Sequence, residues 1–477
     1  MSALALVFIL LALLAILTLV LRRKTYLPFV IASVATATVG LFILYAPLDE
    51  AISLLGIPLR LDSTWQILGR PLSLDPQNRA GVGFLFLVGA LFFGLGWAVA
   101  PGRSFVPAGL ISLGLLAGAL TIQPFLFAAI FLELAAMACV LILIPPGSRS
   151  EKGILNLLVL YSMAMMAILF TGWLLENVGV TSVTPELALR VILLLGLGFV
   201  ILMFVPPFHY WLPSVAERVS PYSLAFVAII LQSSGMFFLL RFLDNFAWMR
   251  ADPLISSALQ AAGIFMIAFG TVVAIAQISF LKIAVYVLLA DIGVSLLAIG
   301  SDLETGTGIA IGLTSVRVIS LALWGLGAAL MSRGGYSKGA GRAAPFASAA
   351  ALLGVLSLAG QPLTAGFPWR WTLLAQLSES SPIGAVLMVV SMLAILWAVL
   401  RWTRVLFESG PAEADIDPQG SGAEIEPQAA DAEIGPRAAG RVAITFMGGA
   451  CLLWGIFPQL AIPWVSQAIA GLANLSP

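Results

Sequence analysis

The stretch "VILLLGLGFVILMFVPPFHYWLP" (residues 191–213) is a long apolar run that ends in a proline pair at Pro206 and Pro207. It lacks the two-residue alternation of a half-buried strand, and in lipid the backbone must satisfy its own hydrogen bonds, which a helix does. Proline removes a backbone donor and interrupts regular helix. The stretch therefore predicts a membrane-spanning helix that is broken near one end.

The rest of the chain has the same apolar character. Of its 477 residues 61% are hydrophobic and 10% are charged, whereas soluble domains carry about 25% charged residues. About 20 apolar residues are enough for one membrane crossing. We predict an all-α integral membrane protein with about fourteen transmembrane helices. The apolar runs lie at about residues 3–21, 27–47, 80–100, 104–120, 122–144, 154–175, 188–206, 222–243, 255–278, 280–300, 305–331, 345–376, 382–407 and 441–463.

A second interrupted run, "LAGQPLTAGFPWRW" (358–371), places Gly360, Pro362, Gly366 and Pro368 within nine residues. The two breaks fall five runs apart, in runs 7 and 12. Broken helices in corresponding positions of two halves are typical of inverted repeats around an ion path. We therefore predict two inverted five-helix repeats, residues 104–243 (spans 4–8) and 255–407 (spans 9–13), with discontinuous helices 7 and 12.

Three further segments complete the predicted organisation. Residues 1–103 contain helices 1–3 and an outer loop at 48–79, whose short alternating stretches predict a small hairpin. Residues 408–440 hold eight of the 23 acidic residues together with Pro and Ala, which predicts a disordered cytoplasmic linker; a docking role for it is an alternative. Residues 441–477 are predicted to be helix 14 and a tail.

Basic residues set the predicted orientation. With the N-terminus on one side, fifteen Lys and Arg residues fall in connections on the opposite side and six on the same side. Since cytoplasmic loops carry the excess of Lys and Arg, both termini are predicted to lie on the outer side of the cell's inner (plasma) membrane. The 23 basic and 23 acidic residues balance, which gives no reason to expect a nucleic-acid partner.

Ionisable residues within the spans are the main candidates for function. They are Glu133, Asp291, Arg317, Arg370 and Lys282. A charge at mid-membrane costs about 2.5–3.5 kcal/mol on insertion scales, so it usually has a purpose. The carboxylates are predicted to exchange protons; the alternative is a buried ion pair with an arginine that fixes helix packing. Arginine stays protonated, so it would tune a neighbour, while the lysine would either titrate or extend to the surface.

Other reactive residues are few. His209 follows the first break, where an imidazole could gate proton entry; a structural interfacial histidine is equally compatible with the sequence. Cys139 and Cys451 lie in apolar runs without CxxC spacing, and a single histidine cannot supply paired haem ligands. Since no phosphate loop, Ser/His/Asp set or metal-ligand cluster is evident, we expect no cofactor and no metal in this chain.

Four motifs resemble the antiporter-like membrane subunits of respiratory complex I, a family shared with multi-subunit cation/proton antiporters and membrane-bound hydrogenases. "VPPFHYWLPSVAERVSPYS" resembles the family's "PFHxWLPxA…PxPVS" signature, and "FLELAA" its glutamate-bearing fifth helix. "AQISFLKIAVYVLLADIGVSLLAIG" resembles its "Q…KR..AYSSI.H.GY" stretch, and "GQPLTAGFPWRW" its "G.PP.AGF..K" break. The likeness is greater to the two shorter, M/N-type subunits and runs from residue 73 to the end of span 13.

The resemblance also locates departures from the family's titratable chain. Leucines at 160 and 202 stand where the family has lysines of the first half, and Gln232 stands at the eighth-helix lysine. Asp291 replaces a histidine, and Arg317 and Arg370 stand at the lysines of the eleventh and twelfth helices.

The resemblance implies a membrane subunit of a complex I-like NADH:quinone oxidoreductase that takes part in proton translocation coupled to electron transfer in partner subunits. Its implied pathway residues are Glu133, Asp291, Lys282, Arg317, Arg370, Gln232 and His209. Its partners would be other membrane subunits, the lipid bilayer, and protons or sodium ions. The alternatives are a structural subunit that has lost conduction, or a subunit of a cation/proton antiporter or hydrogenase-linked pump.

Overall fold

The structure, a computed structural model, is nearly all helical. It describes residues 2–21, 26–48, 52–54, 57–59, 64–67, 69–144, 152–176, 185–331, 340–408, 436–472 and 474–475. The helices are α1 (Ala3–Val20), α2 (Leu27–Tyr45), α3 (Pro76–Gly96), α4 (Phe105–Thr121), α5 (Ala128–Leu143), α6 (Lys152–Glu176), α7 (Pro185–Leu202), α8 (Trp211–Val215), α9 (Pro221–Asn245), α10 (Ala247–Ala251), α11 (Pro253–Ala276), α12 (Phe280–Ser301), α13 (Leu303–Met331), α14 (Ala340–Ala343), α15 (Pro345–Leu358), α16 (Phe367–Ser380), α17 (Pro382–Phe407), α18 (Pro436–Ile456) and α19 (Ile462–Ala470).

Each predicted apolar run contains a helix, and the prediction of a predominantly helical membrane protein is confirmed. By length and composition, eight helices of the described residues are able to cross a membrane, or nine if the bent pair α18 and α19 forms one span. Helices α1, α4, α5 and α15 are apolar but shorter. The count of fourteen crossings and the inverted relation of the two repeats remain predictions.

Both predicted breaks are present. Helix α7 ends at Leu202, four residues before the proline pair, and the chain turns through 203–210 before α8 begins. Helix α15 ends at Leu358, and α16 begins only at Phe367. In the second break Gly360 has a φ of +68°, a conformation that glycine adopts without the steric cost of a side chain.

Three helices form the centre of the molecule: α9, α12 and α13. All of the apolar window of α9 and of α13 is buried, and 94% of that of α12. Glycines bring α11 against α12, since a Cβ added at Gly263 would lie 2.6 Å from the backbone nitrogen of Leu297. The three central helices are therefore covered by other parts of the protein over almost their whole apolar length.

In its described residues, the connection between α2 and α3 contains two short hairpins where the sequence predicted one. Strands β1 (Ile52–Leu54) and β2 (Ile57–Leu59) pair antiparallel, as do β3 (Trp65–Ile67) and β4 (Arg70–Leu72). The second pair is joined to the end of α4 by the hydrogen bond from Gln123 N to Pro71 O, 2.8 Å long. Because alternation alone does not fix where a strand turns, the number of hairpins was not evident from the sequence.

The last predicted segment, helix 14 and a tail (441–477), is bent. It consists of α18 and α19, whose axes differ in direction by 103°. Pro458 and Pro463 account for the bend, because neither can donate the hydrogen bond that a continuous helix requires. Helix α18 also begins five residues earlier than predicted. Residues 409–435 of the predicted acidic linker lie outside the described residues.

Candidate functional site

Asp291 of α12 lies between two arginines in the interior of the second half. Its Oδ2 accepts a hydrogen bond from Arg317 Nε at 2.7 Å, and its Oδ1 accepts one from Arg370 Nη2 at 2.8 Å. The exposed fractions of the three side chains are 4%, 0% and 1%. Each carboxylate oxygen thus forms a buried, charge-assisted hydrogen bond to a different helix.

Arg317 of α13 is held by every nitrogen of its guanidinium group. Besides the bond to Asp291, Nη1 donates to Gln232 Oε1 at 2.7 Å, and Nη2 donates to Ser295 Oγ at 2.8 Å and to the Asp291 carbonyl at 3.2 Å. These partners come from α9 and α12. Because each nitrogen of the planar guanidinium group has an acceptor, the orientation of the group is fixed. Its partners lie on the other two central helices, so Arg317 links all three.

Arg370 reaches the same carboxylate from the first turn of α16, directly after the second break. Its Nη2 also donates to the Leu358 carbonyl at 2.5 Å, at the end of α15. The guanidinium stem passes over Gly360, where an added Cβ would lie 1.9 Å from Arg370 Cδ. Arg370 therefore joins the two halves of the broken helix, and it does so only because residue 360 has no side chain.

We call Gln232, Asp291, Ser295, Arg317 and Arg370 the Asp291 cluster. All five residues are buried. Among the described residues, Asp291 is the one carboxylate that pairs with either arginine. With the carboxylate ionised, the cluster carries one net positive charge. A buried charge in excess of its partners is costly, so this is a place where protonation or ligand binding has large effects.

Of the seven predicted pathway residues, the structure brings four together and leaves three apart. Gln232, Asp291, Arg317 and Arg370 meet in the Asp291 cluster. Asp291 thus pairs with arginine, as in the ion-pair alternative, but it has two arginine partners where the sequence suggested one. Glu133, Lys282 and His209 have other surroundings.

Lys282 forms an ion pair with Glu217 at the start of α12, with Nζ and Oε2 2.8 Å apart. The side chains are 32% and 45% exposed. The hydrogen bond from Lys282 is the largest cause that holds the pKa of Glu217 below its ordinary value, and one from Ser279 adds to it. Because the pair is half exposed, solvent screens it and its contribution to stability is small.

The same pair borders an open cavity of about 600 Å³. Its lining includes Gln277, Ser279 and Trp402. The cavity is wide enough for many water molecules, since one needs only about 30 Å³. Lys282 and Glu217 therefore lie beside this surface cavity, which we call the vestibule, and not in the interior.

Glu133 lies on α5, half-buried, and accepts a hydrogen bond from Ser162 Oγ of α6 at 2.6 Å. No arginine or lysine of the described residues pairs with it. Leu160 and Leu202, which the sequence resemblance assigns to lysine positions of the family, are both buried. In this structure the first half thus has a carboxylate without a basic partner.

His209 is 7% exposed and is surrounded by aromatic rings. Its imidazole contacts Phe269 edge-on with ring centres 5.0 Å apart, and the ring of Tyr286 lies 5.8 Å away. These contacts fit the structural interpretation of His209. Tyr286 is on α12, one turn after Lys282. The imidazole of His209 therefore packs near the vestibule but is not part of its lining.

A second polar network, not predicted from the sequence, ties the ends of α3 and α9 together. Asp75 caps α3, and its Oδ2 lies 3.3 Å from Arg241 Nη2. Asp244 is fully buried and accepts hydrogen bonds from Gln77 Nε2 at 2.6 Å and from Asn474 N at 2.8 Å. The signal for it in the sequence is Asp75-Pro76 before an apolar run, which is typical of a helix start.

Comparison with known proteins gives one family for most of this chain. The family model described as NADH:quinone oxidoreductase/Mrp antiporter, transmembrane, matches residues 126–396. NADH-quinone oxidoreductase subunit 13 of Thermus thermophilus is 28% identical over 352 residues, which are 69% of this chain and 73% of that protein. Subunit N 1 of Herpetosiphon aurantiacus is 30% identical over 229 residues, 44% of this chain and 45% of the relative.

Solved structures share the whole fold. The Mrp complex from a Dietzia species contains a chain that superposes with a TM-score of 0.78 at 17% identity, covering 99% of this chain and 97% of that one. A chain of respiratory complex I from Thermus thermophilus gives 0.69 at 22% identity, with 98% and 100% covered. At these identities the likeness extends to the fold alone.

Proposed function

Since the chain belongs to the NADH:quinone oxidoreductase/Mrp antiporter transmembrane family, we propose that it is a membrane subunit of a complex I-like NADH:quinone oxidoreductase. It takes part in proton translocation, and the energy comes from electron transfer in partner subunits. We place it in the plasma membrane with both termini outside, and with fourteen crossings arranged as two inverted repeats. The observation that carries the proposal is the Asp291 cluster at the break between α15 and α16, within the matched residues.

Asp291 is the proton carrier of the cluster in this proposal. The two arginines keep their charge under ordinary conditions. The amide of Gln232 and the hydroxyl of Ser295 do not titrate. A proton on Asp291 removes the acceptor charge that both guanidinium groups share, which raises the net charge of the cluster by one. Protonation therefore favours release of Arg370, which comes from the broken helix, and that movement provides the coupling between charge and conformation.

Glu133 and Lys282 have supporting roles. Lys282 and Glu217 at the vestibule exchange protons with water on the side that we assign to the cytoplasm. Glu133 provides a second mid-span carboxylate in the first half. Arg317, whose Nη1 donates to Gln232, holds the Asp291 carboxylate in place, and His209 packs the first break. Ions other than protons, sodium above all, remain an alternative cargo.

A structural subunit without conduction is the second candidate. Leu160 and Leu202, both buried, favour it because they interrupt a titratable path through the first half. A subunit of a cation/proton antiporter or a hydrogenase-linked pump is the third; the superposition with the Mrp chain supports it.

Purification of the native assembly separates these functions. We expect a tag on this chain to recover iron–sulfur subunits that oxidise NADH and reduce quinone. Recovery of an assembly with other antiporter-like subunits but no redox centre would contradict the complex I proposal and support the antiporter function. Absorbance and electron paramagnetic resonance spectra of the purified assembly provide the measurement.

Two carboxylate substitutions test conduction in that assembly. We expect Asp291→Asn to lower the number of protons pumped per electron by at least about half, because the cluster then loses its titratable group. Glu133→Gln is expected to have a smaller effect of the same sign. The control is Glu379→Gln, since Glu379 is exposed on α16. Pumping is measured by the fluorescence quenching of a pH dye in vesicles. An unchanged ratio in Asp291→Asn would refute conduction through the cluster and leave the structural role.

A further inference from the structure

The Asp291 cluster contains more hydrogen-bond donors and more positive charge than its described neighbours satisfy. Two donors of Arg370, Nε and Nη1, have no acceptor among the described residues, and neither has Nε2 of Gln232. All three atoms are buried. Buried donors in folded proteins nearly always have a partner, so these atoms indicate a ligand that accepts hydrogen bonds.

The net charge of the cluster indicates the sign of the ligand's charge. Two permanent cations share one carboxylate, which leaves one positive charge in the interior. Arg370 lies in the first turn of α16 (14 residues), and a helix N-terminus is itself positive, so the helix adds to the excess. Water would satisfy the donors but would leave the charge uncompensated, whereas a monovalent anion satisfies both.

We propose that the cluster binds one small monovalent anion of the chloride class, held by the Nε and Nη1 donors of Arg370. The ligand is small because the side chain lies against the break loop, with Gly360 beneath it. The anion neutralises the cluster while Asp291 is ionised. When Asp291 takes up a proton, the site attracts the anion more strongly. This inference does not depend on the proposed pumping, since a subunit without conduction has the same charges.

Equilibrium binding of radioactive chloride to the purified assembly tests the proposal. The assembly is first exchanged into gluconate, which is too large for the site. We expect one saturable chloride per copy of this chain, with bromide competing and gluconate not competing. Substitution Arg370→Gln should abolish binding, and Arg370→Lys, which keeps the charge but loses the two donors, should weaken it at least about tenfold. Arg103→Gln is the matched control, because Arg103 is exposed and far along the chain.

Arg370→Lys keeps the test decisive if Arg370→Gln fails to assemble, and Asp291→Asn gives a second test of opposite sign. Removal of the neighbouring negative charge is expected to tighten chloride binding at least about tenfold. Absence of saturable chloride in the unchanged assembly would overturn the proposal. Binding that survives Arg370→Gln, or that Asp291→Asn leaves unchanged or weaker, would also overturn it. If the unchanged assembly binds chloride but does not pump protons, the proposed function alone is refuted.

Discussion

Asp291→Asn is expected to lower the free energy of unfolding by about 3–5 kcal/mol, the range for a buried ion pair that loses one partner. The reason is specific to this cluster. Asp291 is the shared acceptor of Arg317 and Arg370, and its removal leaves two buried positive charges beside one another. An asparagine of the same size preserves the packing, so the loss reports charge and hydrogen bonding.

The net charge of the cluster also predicts how single substitutions rank in the loss of unfolding free energy. Arg370→Gln leaves Asp291 paired with Arg317 and makes the cluster neutral, so it should be the mildest. Arg317→Gln is also neutral overall, but it removes the contacts to Gln232 and Ser295 as well. We therefore expect Asp291→Asn to be the most destabilising, followed by Arg317→Gln and then Arg370→Gln.

The order is measured by unfolding the purified chain in a denaturing detergent and following tryptophan fluorescence in gluconate buffer. Glu379→Gln serves as the control and should change the free energy by less than about 0.5 kcal/mol. Equal effects of Asp291→Asn and Arg370→Gln would mean that the excess positive charge is compensated elsewhere. Added chloride should restore part of the stability of Asp291→Asn, since a bound ligand stabilises the folded state.

The sequence identified four of the five members of the cluster but not their assembly. Asp291, Arg317 and Arg370 could be singled out because charges within apolar runs are costly. Their meeting could not be derived, since Arg317 and Arg370 follow Asp291 by 26 and 79 residues and only helix packing determines which faces meet. Ser295 and the Leu358 carbonyl gave no signal, because serine is common in apolar helices and a carbonyl has no side-chain signature.

The contacts of Lys282 and the direction of the last helix also could not be predicted from the sequence. The sequence left Lys282 as either a titrating group or a group that extends to the surface, and its partner Glu217 lies in the turn after α8. The run 441–463 had enough apolar residues for one span. Pro458 indicated an interruption, but the angle between α18 and α19 could not be read from the sequence. Length and composition predict helices well, whereas direction depends on tertiary contacts.

Gly360→Ala is expected to destabilise the protein by about 3–4 kcal/mol, which combines two effects. The residue has a φ of +68°, where any side chain costs roughly 1 kcal/mol. The new Cβ would also lie 1.9 Å from Cδ and 2.5 Å from Nε of Arg370. The guanidinium stem would have to move, and displacing a packed side chain while breaking its hydrogen bonds costs about 2–3 kcal/mol more.

Gly69→Ala separates the two effects, because Gly69 has a φ of +75° with no atom within 4 Å of its added Cβ. It should therefore show the backbone cost alone, near 1 kcal/mol. The difference between the two substitutions in the same detergent unfolding experiment measures the displacement of Arg370. Gly360→Ala should also weaken chloride binding, whereas Gly69→Ala should not.

A double-mutant cycle with Arg370→Ala assigns the difference to that contact. In a chain that already lacks the guanidinium stem, Gly360→Ala has nothing to displace and should cost only as much as Gly69→Ala. The coupling free energy between positions 360 and 370 is then expected to be at least about 1.5 kcal/mol, within the range for residues in direct contact. Additive effects would mean that Arg370 does not lie across the break, and the link between α15, α16 and Asp291 would fail with it.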